Sequence, residues 1–537
     1  MIVRASLLFV VLGLLVAGIL YDRVDSRPAE VAAISDRPLI SPSVSDPPRL
    51  DGAWYCPVGS SSPGGFADHK LQISNLSDDT ATASVNILTD AGKGPTIRID
   101  MAPLSTREVA LSGVSQADVA GAVVEIIGGN GVVSHSVDTS AGRAEGPCAT
   151  HVSNSWLFAS GRTTRDSRNY LVLMNPFPED VVYNIEFYRS AGRPRRPADL
   201  QGGVISANSV EIVEIESYIA REEAVATSIT TARGRLVVER LQTLNGDLGP
   251  SGAALQLGVV NPALSWMLPA GRIHESGDDR VIVFNPSDED SATVDIQLWP
   301  VNPTDRSLYG LGSIPRELLP GRFEIVDLGI EAGRFGLRLP YEVGVSVTST
   351  NDVPVVVERW HFAAKVDTSL IGAGGTEVAP TEGESVVETD PGSDESNLGS
   401  EPGIEGELDV PGILGGRASE LAQPTADAGV ATSRGTEIVS DRWVIPWVAT
   451  PSPDATVIIV ASTREAAVEI KALVNGELQG PFRASVPPGG RSIVPLPISA
   501  AGASIVVTSD APISVEAQVV DLAQRMAVVP GIPTVDQ

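Results

Sequence analysis

Short runs in which every second residue is apolar recur through most of the chain. Residues 292–298 (ATVDIQL) alternate in this way, and so do residues 466–472 (AAVEIKA) with Ala467 outward. A period of two means a strand with one face on a core and the other in water. Each such run follows another strand-like run: LQIS up to Asn75, YLVLM up to Asn175, RVIVF up to Asn285 and VIIV up to Ala461. Asn bonds its own backbone, and Pro, as in Asn175-Pro176 and Asn285-Pro286, lacks a donor, so both end a strand. Acidic turn residues follow, as Asp78-Asp79, Glu179-Asp180 and Asp288-Glu289-Asp290. The paired runs predict hairpins.

The hairpins sit inside a longer repeat. Four places open with a Trp in an apolar patch: Trp54-Tyr55-Cys56-Pro57, Trp156-Leu157-Phe158-Ala159, Trp266-Met267-Leu268-Pro269 and Trp443-Val444-Ile445-Pro446. Two continue alike, as Ala159-Ser160-Gly161-Arg162 and Pro269-Ala270-Gly271-Arg272. Three stretches close on a β-rich run with a Val-Glu step: LVVERL at 236–241, VVVERW at 355–360 and ISVEAQVV at 513–520. The first has GVVSHSV at 131–137 instead. The Trp-to-Trp spacings are 102, 110 and 177 residues, so the last interval holds an insertion of about seventy residues. The pattern predicts an all-β chain of four tandem immunoglobulin-like β-sandwich modules, at 51–150, 151–260, 261–363 and 438–537. No periodic helix longer than two turns is evident after residue 21, and 217–226 reads as a short helical connection.

The insertion is legible by composition. No aromatic residue occurs between Phe362 and Trp443, and no cation between Lys365 and Arg417, while Asp and Glu are frequent. One-signed charge without large apolar residues does not offset the entropy of ordering, so 364–437 is expected to be an acidic disordered linker. At the other end, residues 5–21 form an uncharged apolar run, at the short end of what spans a bilayer. No small-x-small cleavage site follows closely. Residues 1–21 are therefore read as an uncleaved transmembrane signal anchor, and 22–50, rich in Pro, Ser and Asp, as a stalk. Arg4 ahead of the run favours an extracytoplasmic chain. Cys56 and Cys148, the only cysteines, bracket the first module and are expected to form a disulfide, with two free buried thiols as the alternative.

Charge narrows the partners. Lys and Arg number 38 against 67 Asp and Glu, a net charge of −29, which argues against nucleic acid. Against that background two Arg-rich loops stand out: Arg162, Arg165 and Arg168, then Arg189, Arg193, Arg195 and Arg196. Arg pairs bidentately with carboxylate and phosphate, so these are candidate contacts for an anionic partner such as a wall polymer, and solvated loops otherwise.

Other chemistry is sparse. His69, His135, His151, His274 and His361 form no close-ligand pattern and read as surface or satisfied residues. No G-x-S-x-G elbow occurs. Gly92-Lys93 is followed by Gly94, so it is a turn and not a phosphate loop. Asn285 with Asp288, Glu289 and Asp290 lacks calcium-loop spacing and reads as a solvated turn. No catalytic, cofactor or metal residues are assigned. The WYCP-type opening, the later Pro-Cys, the SW-led runs ending in Gly-Arg, the Asn-Pro turns and the VVVER endings together resemble an uncharacterised family of actinobacterial membrane-anchored envelope proteins, a domain of unknown function. That resemblance implies location and fold and brings no catalytic residues. The expected function is a non-catalytic, membrane-anchored scaffold or interaction protein of the envelope. The alternatives are a wall-polymer or carbohydrate binder and, behind it, an envelope enzyme.

Overall fold

The computed structural model describes residues 44–46, 51–62, 64–247, 250–273, 278–300, 313–337, 341–362, 430–436, 440–448, 456–496, 502–520 and 526–536. The apolar run 5–21, nearly all of 22–50 and residues 364–429 of the acidic segment lie outside them. The described chain is mostly β, in several sheets, with one short α-helix, Leu328–Arg334. That helix is capped by Asp327, whose Oδ1 accepts the Ile330 N–H at 2.9 Å. Within 217–226 only the end of a 3-10 turn, Ile215–Ser217, is helical.

The third Trp-led stretch shows the plan. One sheet runs Arg322–Asp327, Asp278–Asn285, Val356–Phe362, Val430–Arg434. The other runs Ser265–Leu268, Tyr341–Ser349, Ala292–Pro300, Ile314–Leu318. All pairings are antiparallel, and the same strand order returns in the other three stretches. In the last one a single strand, Ala503–Val520, runs through both sheets. The alternation read from sequence is visible as burial: Ala466–Val474 is buried at every second position with Ala467 exposed. Val356–Phe362, by contrast, is buried throughout, because it is covered on both faces.

Val430–Arg434 falls inside the segment read as linker. It pairs with Val356–Phe362 and completes the third stretch, so the acidic insertion lies within a hairpin connection. Its sequence, VATSR, has no large apolar or aromatic residue and gives no signal by period.

Each Trp is buried: Trp54, Trp156, Trp266 and Trp443 are at most 3% exposed. The indole N–H donates to Leu236 O (2.9 Å), Val355 O (2.8 Å) and Ile513 O (3.0 Å) in the last three, each three residues before the Val-Glu glutamate. An antiparallel bridge then recurs at Tyr55–Ala149, Leu157–Val259, Met267–Thr436 and Val444–Ile532. One residue along from that bridge the first stretch carries the Cys56–Cys148 disulfide. The others carry a large residue beside a glycine: Phe158 and Gly258, Leu268 and Gly435, Ile445 and Gly531. A Cβ on Gly258 would lie 3.0 Å from the Phe158 ring, and one on Gly435 3.0 Å from the Trp266 ring. The disulfide thus fills a place that apolar bulk fills elsewhere. Replacing both cysteines by Ser is expected to cost about 2–5 kcal/mol. Cys56→Leu with Cys148→Gly should retain more of the melting temperature. Equal losses in the two double variants would contradict the equivalence.

The stretches close on one another. The innermost strands are Gly142–Pro147, Ser251–Leu257, Val430–Arg434 and Met526–Pro530. Each packs against the next, and the last against the first. A narrow cavity at their meeting point is lined by Glu145, Pro147, Glu239, Leu255, Thr432 and Pro530, among others.

Candidate functional site

The Val-Glu step sets up the joints between stretches. Glu239, Glu358 and Glu516 stand opposite Val172, Ile282 and Ile459 in equivalent ladders, and all are at most 2% exposed. Each side chain reaches the loop behind the Trp strand of the preceding stretch. Glu239 Oε2 accepts the Val58 N–H at 3.4 Å, Glu358 Oε1 the Ala159 N–H at 3.0 Å, and Glu516 Oε2 the Ala270 N–H at 2.7 Å. Ser160 Oγ and Ser433 Oγ also donate, to Glu358 and Glu516. Successive strand residues point to opposite faces, so the residue after a glutamate can serve the other neighbour, as Arg240 after Glu239 does.

At two of the joints the residue at that next position meets the following glutamate. His135 Nε2 lies 2.9 Å from Glu239 Oε1, and Arg240 Nη2 donates to Glu358 Oε2 at 3.0 Å. The Arg240 guanidinium also lies 5.3 Å from the Phe158 ring and 5.5 Å from the Trp360 ring. Arg359 binds Asp279 bidentately, at 2.9 and 2.6 Å, and donates to Ala270 O at 2.8 Å. Arg491 donates to Pro269 O at 2.6 Å on the same loop. Burial pushes the Asp279 carboxyl up, but Arg359 and His361 beside it hold it below the usual carboxylate range. Burial lowers Arg491 to about 10.

Three of the histidines, His69, His135 and His361, lie within such contacts, and His274 lies outside the described residues. His69 Nδ1 faces Ala120 O at 3.0 Å, His69 Nε2 faces His135 Nδ1 at 3.0 Å, and His135 ends on Glu239. A carbonyl only accepts, so His69 donates from Nδ1 and accepts at Nε2, and His135 donates from Nδ1. Burial, with the neighbouring His135, lowers His69 to about 3, so it stays neutral. His361 Nδ1 lies 3.4 Å from Asp279. Residues 66 and 104 positions apart in sequence make the His69–His135–Glu239 chain. The one sequence signal for it was a charged or polar dipeptide inside an otherwise apolar strand.

Glu516 lacks such a one-to-one partner, since Arg359 is held by Asp279. Burial raises its carboxyl to about 7, against hydrogen bonds from Ser433 and Ala270 and the charges of Arg359 and Arg491. A raised acid keeps its proton longer in the folded chain than in the unfolded one. Its contribution to stability is full below its ordinary value of 4.5 and is lost as pH rises through about 7. Glu516→Gln should therefore flatten the fall in melting temperature between about pH 5 and pH 8. A fall of unchanged size in that variant would contradict this.

The Arg-rich loops lie beside the joint between the second and third stretches. Arg162 pairs with Glu223 (3.6 Å), which also meets Arg280 of the third stretch, and lies 5.8 Å from the Phe362 ring. Arg168 pairs with Glu216 at 3.5 Å and Arg196 with Glu186 at 2.7 Å. Arg165, Arg193 and Arg195 are exposed, and Arg189 is half-buried. The acidic turns are organised by their asparagines: Asn285 Nδ2 donates to Asp290 O (2.8 Å) and Leu318 O (3.1 Å), and Asn75 and Asn175 do the same in their turns.

No curated protein matches this chain. Among solved structures, the crystal structure of Thermotoga maritima 1070 is 15% identical, over 20% of this chain and 95% of that one, with a TM-score of 0.18. A Streptomyces avermitilis alpha-L-rhamnosidase complexed with L-rhamnose is 11% identical, over 61% of this chain and 46% of that one, with a TM-score of 0.14. At those TM-scores neither likeness bears on fold or activity. Residues 137–398, which take in the second Trp-led stretch and the third as far as Val356–Phe362, match the family of unknown function DUF5719, and that part of the chain is a domain of unknown function.

Proposed function

We propose that this chain is a non-catalytic scaffold or interaction protein of an actinobacterial cell envelope, anchored by its N-terminal apolar run, with four immunoglobulin-like sandwich modules outside the cytoplasm. One observation carries the reading: Glu239, Glu358, Glu516, His135, Arg240 and Arg491 are sealed between stretches and hold one to the next. Catalytic groups sit where a substrate reaches them; these instead stiffen a multi-domain body. The disulfide suits an oxidising compartment. Protease added to intact spheroplasts should digest the modules, and full protection would contradict the topology.

The second reading, an anionic wall-polymer binder, is favoured by the exposed Arg193 and Arg195. Co-sedimentation with purified cell walls separates the two. Retention lost on Arg193→Glu with Arg195→Glu would support polymer binding, and no retention of the wild-type chain would leave the scaffold reading.

A further inference from the structure

We propose that the joint between the fourth and first stretches is the opening joint of the ring, where it parts without unfolding any sandwich. The inference rests on reading the four stretches as equivalent modules. The other three joints lie between consecutive stretches. This one joins distant parts of the chain: Ser74 Oγ and Ser504 Oγ, 430 residues apart, lie at 2.7 Å. It is nevertheless the same kind of contact. The outer hairpin of one stretch meets a turn of the next at Thr89–Ser209, and Tyr188 lies 3.3 Å from a Cβ built on Gly321. At the closing joint a Cβ on Gly476 would lie 3.7 Å from Leu104 O.

The charged couple is missing there on both sides. The ladder position that holds Glu239, Glu358 and Glu516 is Ser134 in the first stretch, opposite Gln72. The position that holds His135, Arg240 and Arg359 is Ala517 in the fourth, opposite Ile458. A lone glutamate or arginine at either place would be a buried charge without its mate, so the two absences belong together. Ser134 Oγ is buried with no hydrogen-bond partner. The joint is held by the Ser74–Ser504 hydroxyl pair and by Val444 and Ile532 packed into the core around Trp54 and Cys56. A three-residue parallel ladder of Val44–Asp46 on Ile532–Asp536 completes it. A neutral hydroxyl pair is worth about half a charge-assisted bond. Four similar joints, three with a buried glutamate hydrogen-bonded across them and one without, part at the one without.

Hydrogen exchange on the full chain tests this. Amides of Val44–Asp46 and Ile532–Asp536, which pair across this joint, should exchange about tenfold faster than those of Val58, Ala159 and Ala270, which donate across the other three. A Ser74→Cys, Ser504→Cys variant should crosslink on oxidation and remove the difference. Ser134→Glu with Ala517→Arg should also slow exchange at this joint, whereas either change alone should speed it. Failure to crosslink would overturn the ring closure itself. Crosslinking with equal exchange at all four joints in the uncrosslinked chain would leave the ring standing and overturn the opening joint.

Discussion

Glu358→Ala is expected to lower stability by about 3–5 kcal/mol, because it breaks a buried pair and leaves one charge behind. Arg240 is 1% exposed and would keep its bond to Ser160 O but lose its carboxylate. The Ala159 N–H and the Ser160 hydroxyl would lose their acceptor at the same time. The loss should fall on two stretches together, since the glutamate belongs to one and its donors to the other. Arg240→Met combined with Glu358→Ala should recover part of it, as no unpaired charge remains. Thermal melting of the three variants measures this. A Glu358→Ala chain that melts like the wild type would show that the joint contributes nothing.

Trp266→Ala is expected to cost a similar ~3–5 kcal/mol by removing a buried aromatic. Trp266 is 2% exposed, donates to Val355 O and packs in the core with Leu268, Val294 and Val345. A Trp acting as a ligand platform would be exposed, and its loss would harm binding with little effect on melting. The full chain is the right sample, because residues 261–363 alone would lack the strand Val430–Arg434. An unchanged melting curve would remove Trp266 from the core and move weight to the polymer-binding reading.

The strands and their recurrence were legible because both are local. Alternation in 466–472, the Asn turns and the Trp openings each span a few residues, and each has its counterpart as a strand, a capped turn or a buried indole. The disulfide was legible because the sequence holds only two cysteines. The joints were not, because their partners are far apart: 118 residues separate Arg240 from Glu358, and 246 separate Ala270 from Glu516. The Val-Glu step was visible as a repeat, and its meaning lay in a detail of physics. Glu and Arg side by side in a strand with apolar residues on both faces are buried, and buried charges require partners. His69 and His135 are satisfied residues, but their link to one another and to Glu239 was hidden by the same distance. Val430–Arg434 was hidden by composition, being five small or polar residues at the end of an acidic insertion.

The central claim is that successive stretches, held by these joints, close into a ring. Spin labels on cysteines introduced at the exposed Arg107 and Glu477, with Cys56–Cys148 left oxidised, report the closing contact directly. The account predicts a single distance within one domain diameter, about 30 Å. A distance beyond about 60 Å, two domain diameters, would describe an open string of modules and contradict it.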